Sequence, residues 1–186
     1  MTTKMFDLHG KVAVVTGGNG GIGLGMAQGL AAAGAHIVIV GRDAAKSEQA
    51  AAQIESTGGH AFALQADVTD EAAVHAAFDA FGVTPDVVVS NAGCGLLGGL
   101  EECSRDQIER NIAVNLLGPI DLMRATLPIL RAQRSGHLIL IGAAASISNY
   151  PGFAVYGGAK AAVELVAESV RAEASAFGVR VSVVQP

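Results

Sequence analysis

The sequence lacks the features that mark several large classes of protein. Only two cysteines are present, Cys94 and Cys103, which are too few for a disulfide framework or a zinc cluster. No apolar run approaches the roughly 20 residues of a membrane span, and the start, MTTKMFDLHGK, lacks the apolar core of a secretion signal. The net charge of −5 offers no basic surface for nucleic acid. We therefore expect a cytoplasmic protein without a membrane or nucleic-acid partner.

The composition that remains is that of a globular protein with a large interior. Hydrophobic residues make up 51% of the chain and charged residues 16%, whereas disordered chains are poor in the former and rich in the latter. A length of 186 residues suits one domain. Because no linker and no internal repeat interrupts the chain, we predict a single domain over residues 1–186.

Short apolar, β-branched runs alternate with longer alanine-rich stretches. The predicted strands are Lys11–Thr16, His36–Val40, Ala61–Gln65, Asp86–Ser90, His137–Ile141 and Val179–Val184. The predicted helices are Ile22–Ala33, Ala44–Ser56, Glu71–Phe81, Arg105–Ala132 and Phe153–Phe177. Strands that are apolar along their whole length are typical of parallel sheets covered on both faces. The alternation predicts an α/β fold, with a doubly wound parallel sheet of about six strands and helices on both faces.

A glycine-rich turn, TGGNGGIG, occupies residues 16–23 between the first strand and the first helix. Gly17, Gly21 and Gly23 are placed so that backbone N–H groups and the helix N-terminus can face an anion. Such a turn is needed by many small domains simply to connect a strand to a helix. The strand before it and the helix after it favour a dinucleotide pyrophosphate site.

Tyr156 and Lys160 are four residues apart in a predicted helix, so their side chains lie on one face. A lysine ammonium beside a phenol lowers the pKa of the phenol from its ordinary value of about 10. The tyrosine can then exchange a proton with a substrate oxygen near neutral pH. The pair therefore predicts chemistry between a carbonyl and an alcohol.

Two further motifs end predicted strands at the edge where open α/β sheets bind ligands. Asn91-Ala92-Gly93 follows the fourth strand, and an ordinary Asn/Gly turn is the alternative interpretation. Asp67-Val68 follows the third strand, where the carboxylate could accept a hydrogen bond from an adenine amino group. The alternative places Asp67 in the N-cap region of the next helix, with Thr69 or Asp70 as the cap.

The end of the second strand bears on the choice of cofactor. Gly41 stands where an acidic residue would bind ribose hydroxyls, and Arg42 beside it can accommodate a 2′-phosphate. A surface arginine without a ligand is the alternative.

Asn115 lies inside a predicted helix, where asparagine is unfavourable. It could bend the helix and hold a water near the active site, although Gly118-Pro119 could produce a kink by itself.

These motifs, in this order, resemble the short-chain dehydrogenase/reductase family over the whole chain. The resemblance implies a Rossmann sheet with a nicotinamide cofactor, Tyr156 as general acid/base, Lys160 as its partner and ligand of the nicotinamide ribose, and Asn115 as support for a relay water. Gly41-Arg42 resembles the members that prefer NADP, although NAD is possible. The resemblance assigns cofactor binding to Thr16, Gly17, Asn19, Gly21, Ile22, Gly23, Arg42, Asp67, Val68, Asn91, Ala92, Gly93, Val114, Tyr156, Lys160 and Pro186. No metal is expected.

The sequence departs from the family at two places. The family has a serine thirteen residues before the tyrosine, to bind the substrate oxygen, and here that position is Ala143. Ser146 and Ser148 are near in sequence but out of register. The family also continues beyond a Pro-Gly, so the last strand and the substrate lid are expected to be missing here, as in a truncated member.

Three functions are compatible with these residues. The first is an NADP(H)-dependent oxidoreductase acting on a small alcohol or carbonyl compound, and the second is a nucleotide-binding protein with little or no turnover. The third, a sugar-nucleotide epimerase, usually needs a longer substrate region. We also expect a homodimer through the two long helices, Arg105–Ala132 and Phe153–Phe177.

Overall fold

A computed structural model describes residues 6–82, 84–148 and 150–186, without the side chains of residues 79–81. The strands are β1 (Val12–Thr16), β2 (His36–Gly41), β3 (His60–Gln65), β4 (Val87–Ser90), β5 (Gly136–Ile141) and β6 (Val179–Val184). The helices are α1 (Gly21–Ala32), α2 (Ala44–Ser56), α3 (Glu71–Phe81), α4 (Arg105–Ile112), α5 (Gly118–Gln133) and α6 (Ala154–Ser175). All six predicted strands form, with ends within one residue of the prediction.

The strands make one sheet in the order β3-β2-β1-β4-β5-β6, and every neighbouring pair is parallel. Alternate residues of the strands point to opposite faces. Val15 belongs to the core beneath α1 and α2, whereas Val14 belongs to a core that includes residues of α3. A further core joins α5 and α6 to β5 and β6. The predicted doubly wound Rossmann-type sheet is therefore confirmed.

The predicted single helix Arg105–Ala132 is wrong in one respect, because a π-helical turn, Ala113–Leu117, separates α4 from α5. The side-chain amide of Asn115 donates to the carbonyl oxygen of Asn111 at 3.0 Å, which offers that carbonyl a partner besides the backbone. Gly118 and Pro119 open α5 after this turn. A side chain at Gly118 would crowd Val68, since its Cβ would lie 2.9 Å from the carbonyl oxygen of Val68.

The helical stretch Arg105–Gln133 is long and apolar enough to cross a membrane by length and hydropathy alone, and 39% of its most apolar window is buried in the fold. One such stretch is weak evidence, because the core helices of soluble proteins have the same composition. The absence of a membrane partner therefore remains a prediction.

Leu130 on α5 provides a test of the packing on this face of the sheet. Its side chain is 0% exposed, so Leu130→Ala should lower the free energy of unfolding by about 2–5 kcal/mol through lost burial and a residual cavity. The matched control is Leu100→Ala in the short 3₁₀ turn Leu100–Glu102, where the leucine is 59% exposed and the expected change is below about 0.5 kcal/mol. Urea denaturation followed by circular dichroism measures both, and equal losses would contradict this assignment of the core.

Candidate functional site

A cleft of about 780 Å³ opens at the carboxyl edge of the sheet. Its walls come from the segments that follow β1, β2, β3 and β4, together with parts of α4 and the π-helical turn. β1 and β4 are neighbours in the sheet, and the chain proceeds outward from them in opposite directions. Ligands of open α/β sheets bind at this kind of switch point, and a volume of this size is typical of small-molecule sites.

The glycine turn is shaped by close packing beneath the cleft. Any side chain at Gly23 would collide with the carbonyl oxygen of Gly17 and the amide nitrogen of Asn91. Gly17 and Gly21 have φ angles of 64° and 51°, in the left-handed region that favours glycine. No side chain caps α1 at Gly20, so the first N–H groups of the helix are open to an anion.

Thr16 and Asn91 tie this turn to the end of β4. The buried hydroxyl of Thr16 accepts hydrogen bonds from the backbone nitrogens of Asn91 at 3.0 Å and Ala92 at 3.1 Å. The Asn91 side-chain amide donates to the carbonyl oxygens of Thr16 at 3.0 Å and Gly17 at 3.3 Å. Asn91 is thus a clamp between two loops, and the interpretation of an ordinary Asn/Gly turn is insufficient.

Arg42 and Asp67 face one another across the ends of β2 and β3. The guanidinium nitrogen and the carboxylate oxygen are 3.8 Å apart. Asp67 also accepts from the backbone nitrogen of Thr69 at 2.9 Å and from its hydroxyl at 2.8 Å. Burial works to raise the pKa of Asp67, but the bonds from Thr69 and the charges of Arg42 and Arg110 leave that pKa below its usual value. Asp70 caps α3 and Asp67 bonds Thr69 just before it, in agreement with the alternative interpretation of an N-cap region with Asp70 as the cap, while Asp67 also lines the cleft.

Lys46 and Arg110 are cations of the cleft that the sequence did not reveal. Lys46 belongs to the first turn of α2, and its ammonium lies 3.3 Å from the position that a Cβ of Gly20 would take. Arg110 lies near the end of α4. The only signal for Lys46 was its place three residues after the helix cap Asp43.

Lys160 is 5% exposed, and its ammonium donates to the carbonyl oxygen of Ile141 at 2.7 Å. The same nitrogen lies 3.7 Å from where a Cβ of Gly93 would be, which places it beside the wall of the cleft. Burial lowers the pKa of Lys160, and the opposing charges of Glu164 and Cys94 only partly offset that effect.

Tyr156 is half-buried, and its ring contacts that of Phe153. Burial raises the pKa of the Tyr156 phenol, and the nearby Cys94 thiol adds to the rise. The expected lowering of this pKa by Lys160 is therefore wrong for the protein without ligands. The reason is that burial penalises the phenolate, while the ammonium is directed to the Ile141 carbonyl.

Asn115 is buried in the π-helical turn and holds the backbone of Cys94 from both sides. Its oxygen accepts from the Cys94 nitrogen at 3.2 Å, and its amide donates to the Cys94 carbonyl oxygen at 2.8 Å. Asn111, one turn earlier, donates to the same carbonyl at 3.0 Å. The oxygen of the Asn111 side chain is buried and has no partner among the described residues. Cys94 also lines the cleft.

Ala143 lies two residues after the end of β5, and its side chain has no hydroxyl. The Ser146 hydroxyl lies 2.7 Å from both the Ala143 carbonyl oxygen and a carboxylate oxygen of Glu164. The Gln185 amide donates to the Ser146 hydroxyl at 3.2 Å and to the other Glu164 oxygen at 2.8 Å. The Ser146 hydroxyl is therefore already bonded within the protein, and Ser148 is exposed.

The cleft brings together most of the predicted cofactor residues, namely Gly17, Asn19, Gly21, Ile22, Gly23, Arg42, Asp67, Val68, Asn91, Ala92, Gly93 and Val114. Four predicted residues do not line it. Thr16 lies beneath the turn, Tyr156 and Lys160 belong to α6, and Pro186 is exposed beyond β6.

The sequence profile of the short chain dehydrogenase family matches residues 11–186. An uncharacterized oxidoreductase of Staphylococcus epidermidis is 36% identical over 186 residues, which cover 98% of this chain and 79% of that protein. A metagenomic short-chain oxidoreductase in complex with NADP has a TM-score of 0.91 at 35% identity, covering 96% of this chain and 83% of that one. A gluconate 5-dehydrogenase of Burkholderia cenocepacia, in complex with NADP and tartrate, has a TM-score of 0.94 at 32% identity, covering 97% and 72%.

The direction of the Tyr156 pKa shift can be measured directly, because the chain has no tryptophan and only two tyrosines. Tyr150→Phe leaves Tyr156 as the only phenol. In the protein without ligands we expect the tyrosinate absorbance of this variant to rise with a midpoint above the ordinary value of about 10. Circular dichroism at each pH establishes that the fold is intact, and the Tyr150→Phe/Tyr156→Phe double variant supplies the baseline. A midpoint well below that of a free phenol would show that Lys160 outweighs burial.

Proposed function

Since this chain belongs to the short-chain dehydrogenase family, we propose that it is an NADP(H)-dependent oxidoreductase that interconverts an alcohol and a ketone or aldehyde. The observation that carries the proposal is the position of the buried Lys160 ammonium. It lies beside Gly93, at the wall of a cleft whose other end is the glycine turn. This position supports a proton-transfer pair, Tyr156 and Lys160, next to a phosphate-binding cleft.

The residues of the cleft fit a dinucleotide. Gly23 is pressed against the Gly17 carbonyl, so the turn leaves its N–H groups, rather than side chains, toward the cavity. The cleft is positive on balance in a protein whose net charge is −5, because three cations line it against two carboxylates, namely Arg42, Lys46 and Arg110 against Asp43 and Asp67. Such a local field favours a ligand that carries phosphates. When bound, the cofactor supplies or accepts the hydride at the carbon of the substrate's carbonyl or alcohol group.

Tyr156 would exchange a proton with the substrate oxygen. Its raised pKa keeps the phenol protonated at neutral pH, which is the form needed to donate a proton during carbonyl reduction. Lys160 has three N–H donors, and the bond to Ile141 uses one. The other two would bind a ribose hydroxyl and stabilise the phenolate that remains after proton transfer.

Asn115 would act as a positioning residue. Its amide is committed to both backbone groups of Cys94, so it fixes the loop that carries Asn91-Ala92-Gly93 relative to the π-helical turn. The predicted support of a relay water by Asn115 stays a prediction. Val114 precedes it and lines the cleft, in agreement with a place near the cofactor.

A nucleotide-binding protein with little turnover is the second candidate, and one observation favours it. Ala143 cannot donate to a developing oxyanion, and the Ser146 hydroxyl is held by Glu164 and the Ala143 carbonyl.

We also propose a cytoplasmic homodimer through α4, α5 and α6. Leu117 and Leu165 are exposed apolar residues next to or within these helices, as an interface between copies would use.

Cofactor binding tests the function most directly. We expect NADPH to bind more tightly than NADH by about 1–3 kcal/mol, the scale of a charge-assisted hydrogen bond, because Arg42 can donate to a 2′-phosphate. Isothermal titration with both cofactors measures the difference, and Arg42→Ala should reduce it. Failure of both cofactors to bind would end the proposal, and a preference unchanged in Arg42→Ala would end the role of Arg42.

The Ala143 position tests whether the chain is catalytically incomplete. A missing oxyanion donor costs about 2.7–4 kcal/mol of transition-state stabilisation, so Ala143→Ser should raise NADPH-dependent reduction by roughly 10²–10³-fold across a panel of ketones and aldehydes. Tyr156→Phe in the Ala143→Ser background should then lower it by about 10²–10⁴-fold.

Two matched controls accompany this measurement. Ala144→Ser places the same hydroxyl one residue away, on an exposed position, and should change nothing. Ser146→Ala should have little effect on the parent protein. Strong activity in the parent that Ser146→Ala abolishes would show that Ser146 supplies the donor instead.

A further inference from the structure

Glu164 connects α6 to two other segments of the chain. One of its carboxylate oxygens lies 2.7 Å from the Ser146 hydroxyl and 3.4 Å from the backbone nitrogen of Ala143, and both groups can donate to it. The other oxygen accepts from the side-chain amide of Gln185, beyond β6, at 2.8 Å. The half-buried carboxylate therefore takes neutral donors from the loop after β5 and from the end of β6, and holds both against α6.

The backbone at the end of β5 is packed directly against this carboxylate. A side chain at Gly142 would collide with the same oxygen of Glu164 that accepts from the loop, and its Cβ would lie 3.1 Å from Cγ1 of Val183. The backbone nitrogen of Gly142 donates to the carbonyl oxygen of Val184 at 2.8 Å, which continues the pairing of β5 with β6. Glycine at this position therefore allows the carboxylate to approach the backbone itself.

Lys160, one turn before Glu164 on α6, binds the same segment of backbone. Its ammonium donates to the carbonyl oxygen of Ile141 at 2.7 Å, so the two side chains hold consecutive peptide groups at the end of β5. A buried ammonium is costly unless an opposite charge lies near it. Burial lowers the pKa of Lys160, and the negative charge of Glu164 opposes this effect more strongly than that of Cys94. Tyr156 is the other titratable residue of α6 next to this lysine.

We propose that Glu164 is a positioning residue for the proposed reaction, which holds the end of β5 against α6 and stabilises the buried ammonium of Lys160 by its charge. This inference rests on the proposed function, because Lys160 matters to a reaction only if the cleft holds a cofactor and a substrate. The oxygens of Glu164 are occupied by groups of the protein. Glu164 therefore acts through Lys160 and through the backbone of Ala143, not by contact with the reacting atoms.

The effect of Glu164 on the lysine can be measured without any activity, because the chain has only four lysines. NMR of protein with isotope-labelled lysine follows the Lys160 resonance against pH, and its loss in Lys160→Met identifies it. Glu164→Gln keeps the length of the side chain and one oxygen acceptor but removes the charge. Because that charge raises the pKa of Lys160 against burial, the midpoint of the titration should move to lower pH in Glu164→Gln.

The role in the reaction is measured in the Ala143→Ser background. Glu164→Gln should lower kcat at saturating NADPH about 10–100-fold, the scale of a misplaced catalytic group, with little change in the KM of the carbonyl substrate. Glu164→Asp keeps the charge on a side chain one carbon shorter. It should leave the Lys160 midpoint close to that of the parent but still lower kcat, since its contacts with the loop lengthen.

Glu168→Gln is the matched control. It removes an equal charge from the next turn of α6, where the carboxylate pairs with Arg171 at the surface at 2.7 Å. It should change neither the Lys160 midpoint nor kcat. Circular dichroism of every variant establishes that the fold is intact.

The outcomes separate the inference from the function on which it rests. A Lys160 midpoint that stays in place in Glu164→Gln, or that moves as far in Glu168→Gln, would overturn the inference. A shifted midpoint with unchanged kcat in both Glu164 variants would show that Glu164 serves the fold alone, which also overturns it. If the Ala143→Ser protein reduces no carbonyl compound, the proposed function fails and the role in the reaction fails with it. The lysine titration still decides in that case whether the charge of Glu164 supports Lys160.

Discussion

The close contact of Gly23 with the Gly17 carbonyl and the Asn91 amide is the constraint on which the site depends. It brings the start of α1 against the loop after β4, two segments about seventy residues apart. Thr16 reinforces the contact, since its hydroxyl accepts from both Asn91 and Ala92. A side chain at position 23 would separate the loops, and the N–H groups of the turn would no longer face a common cavity. The cleft therefore exists because two glycine-containing turns can touch.

A second connection joins the cleft to α4 and the π-helical turn. Asn115 and Asn111 hold the Cys94 backbone, and Cys94 follows directly after the turn that Thr16 and Asn91 fix. The π-helical turn rotates Asn115 so that its amide can serve Cys94 and also the Asn111 carbonyl. The irregular helix is thus a consequence of polar groups that need partners inside the protein, since unpaired buried amides are costly.

The sequence was sufficient for the fold and for most of the cleft, because both depend on local patterns. Apolar runs located all six strands, and strand ends located Gly17, Asp67 and Asn91 at one edge. The sequence was insufficient for features that depend on contacts between segments far apart in the chain. Lys46 reaches the turn only because α2 folds back over β2, and the π-helical turn depends on a loop twenty residues earlier. The predicted direction of the Tyr156 pKa shift was wrong for the same reason, since the spacing of residues on a helix does not show how deeply they are buried.

The two pKa shifts on α6 have one physical origin, although their signs differ. Burial penalises a charged group, so it raises the pKa of the Tyr156 phenol and lowers that of the Lys160 ammonium. The cofactor side of the cavity supplies N–H groups and cations, whereas no described residue of the loop after β5 lines the cleft. Ser146 and Gln185 instead pair with Glu164. The polar contacts near Ala143 are thus closed among themselves. The two candidate functions therefore differ at the substrate oxygen, beside which Ala143 is proposed to lie, and share the same cofactor cleft.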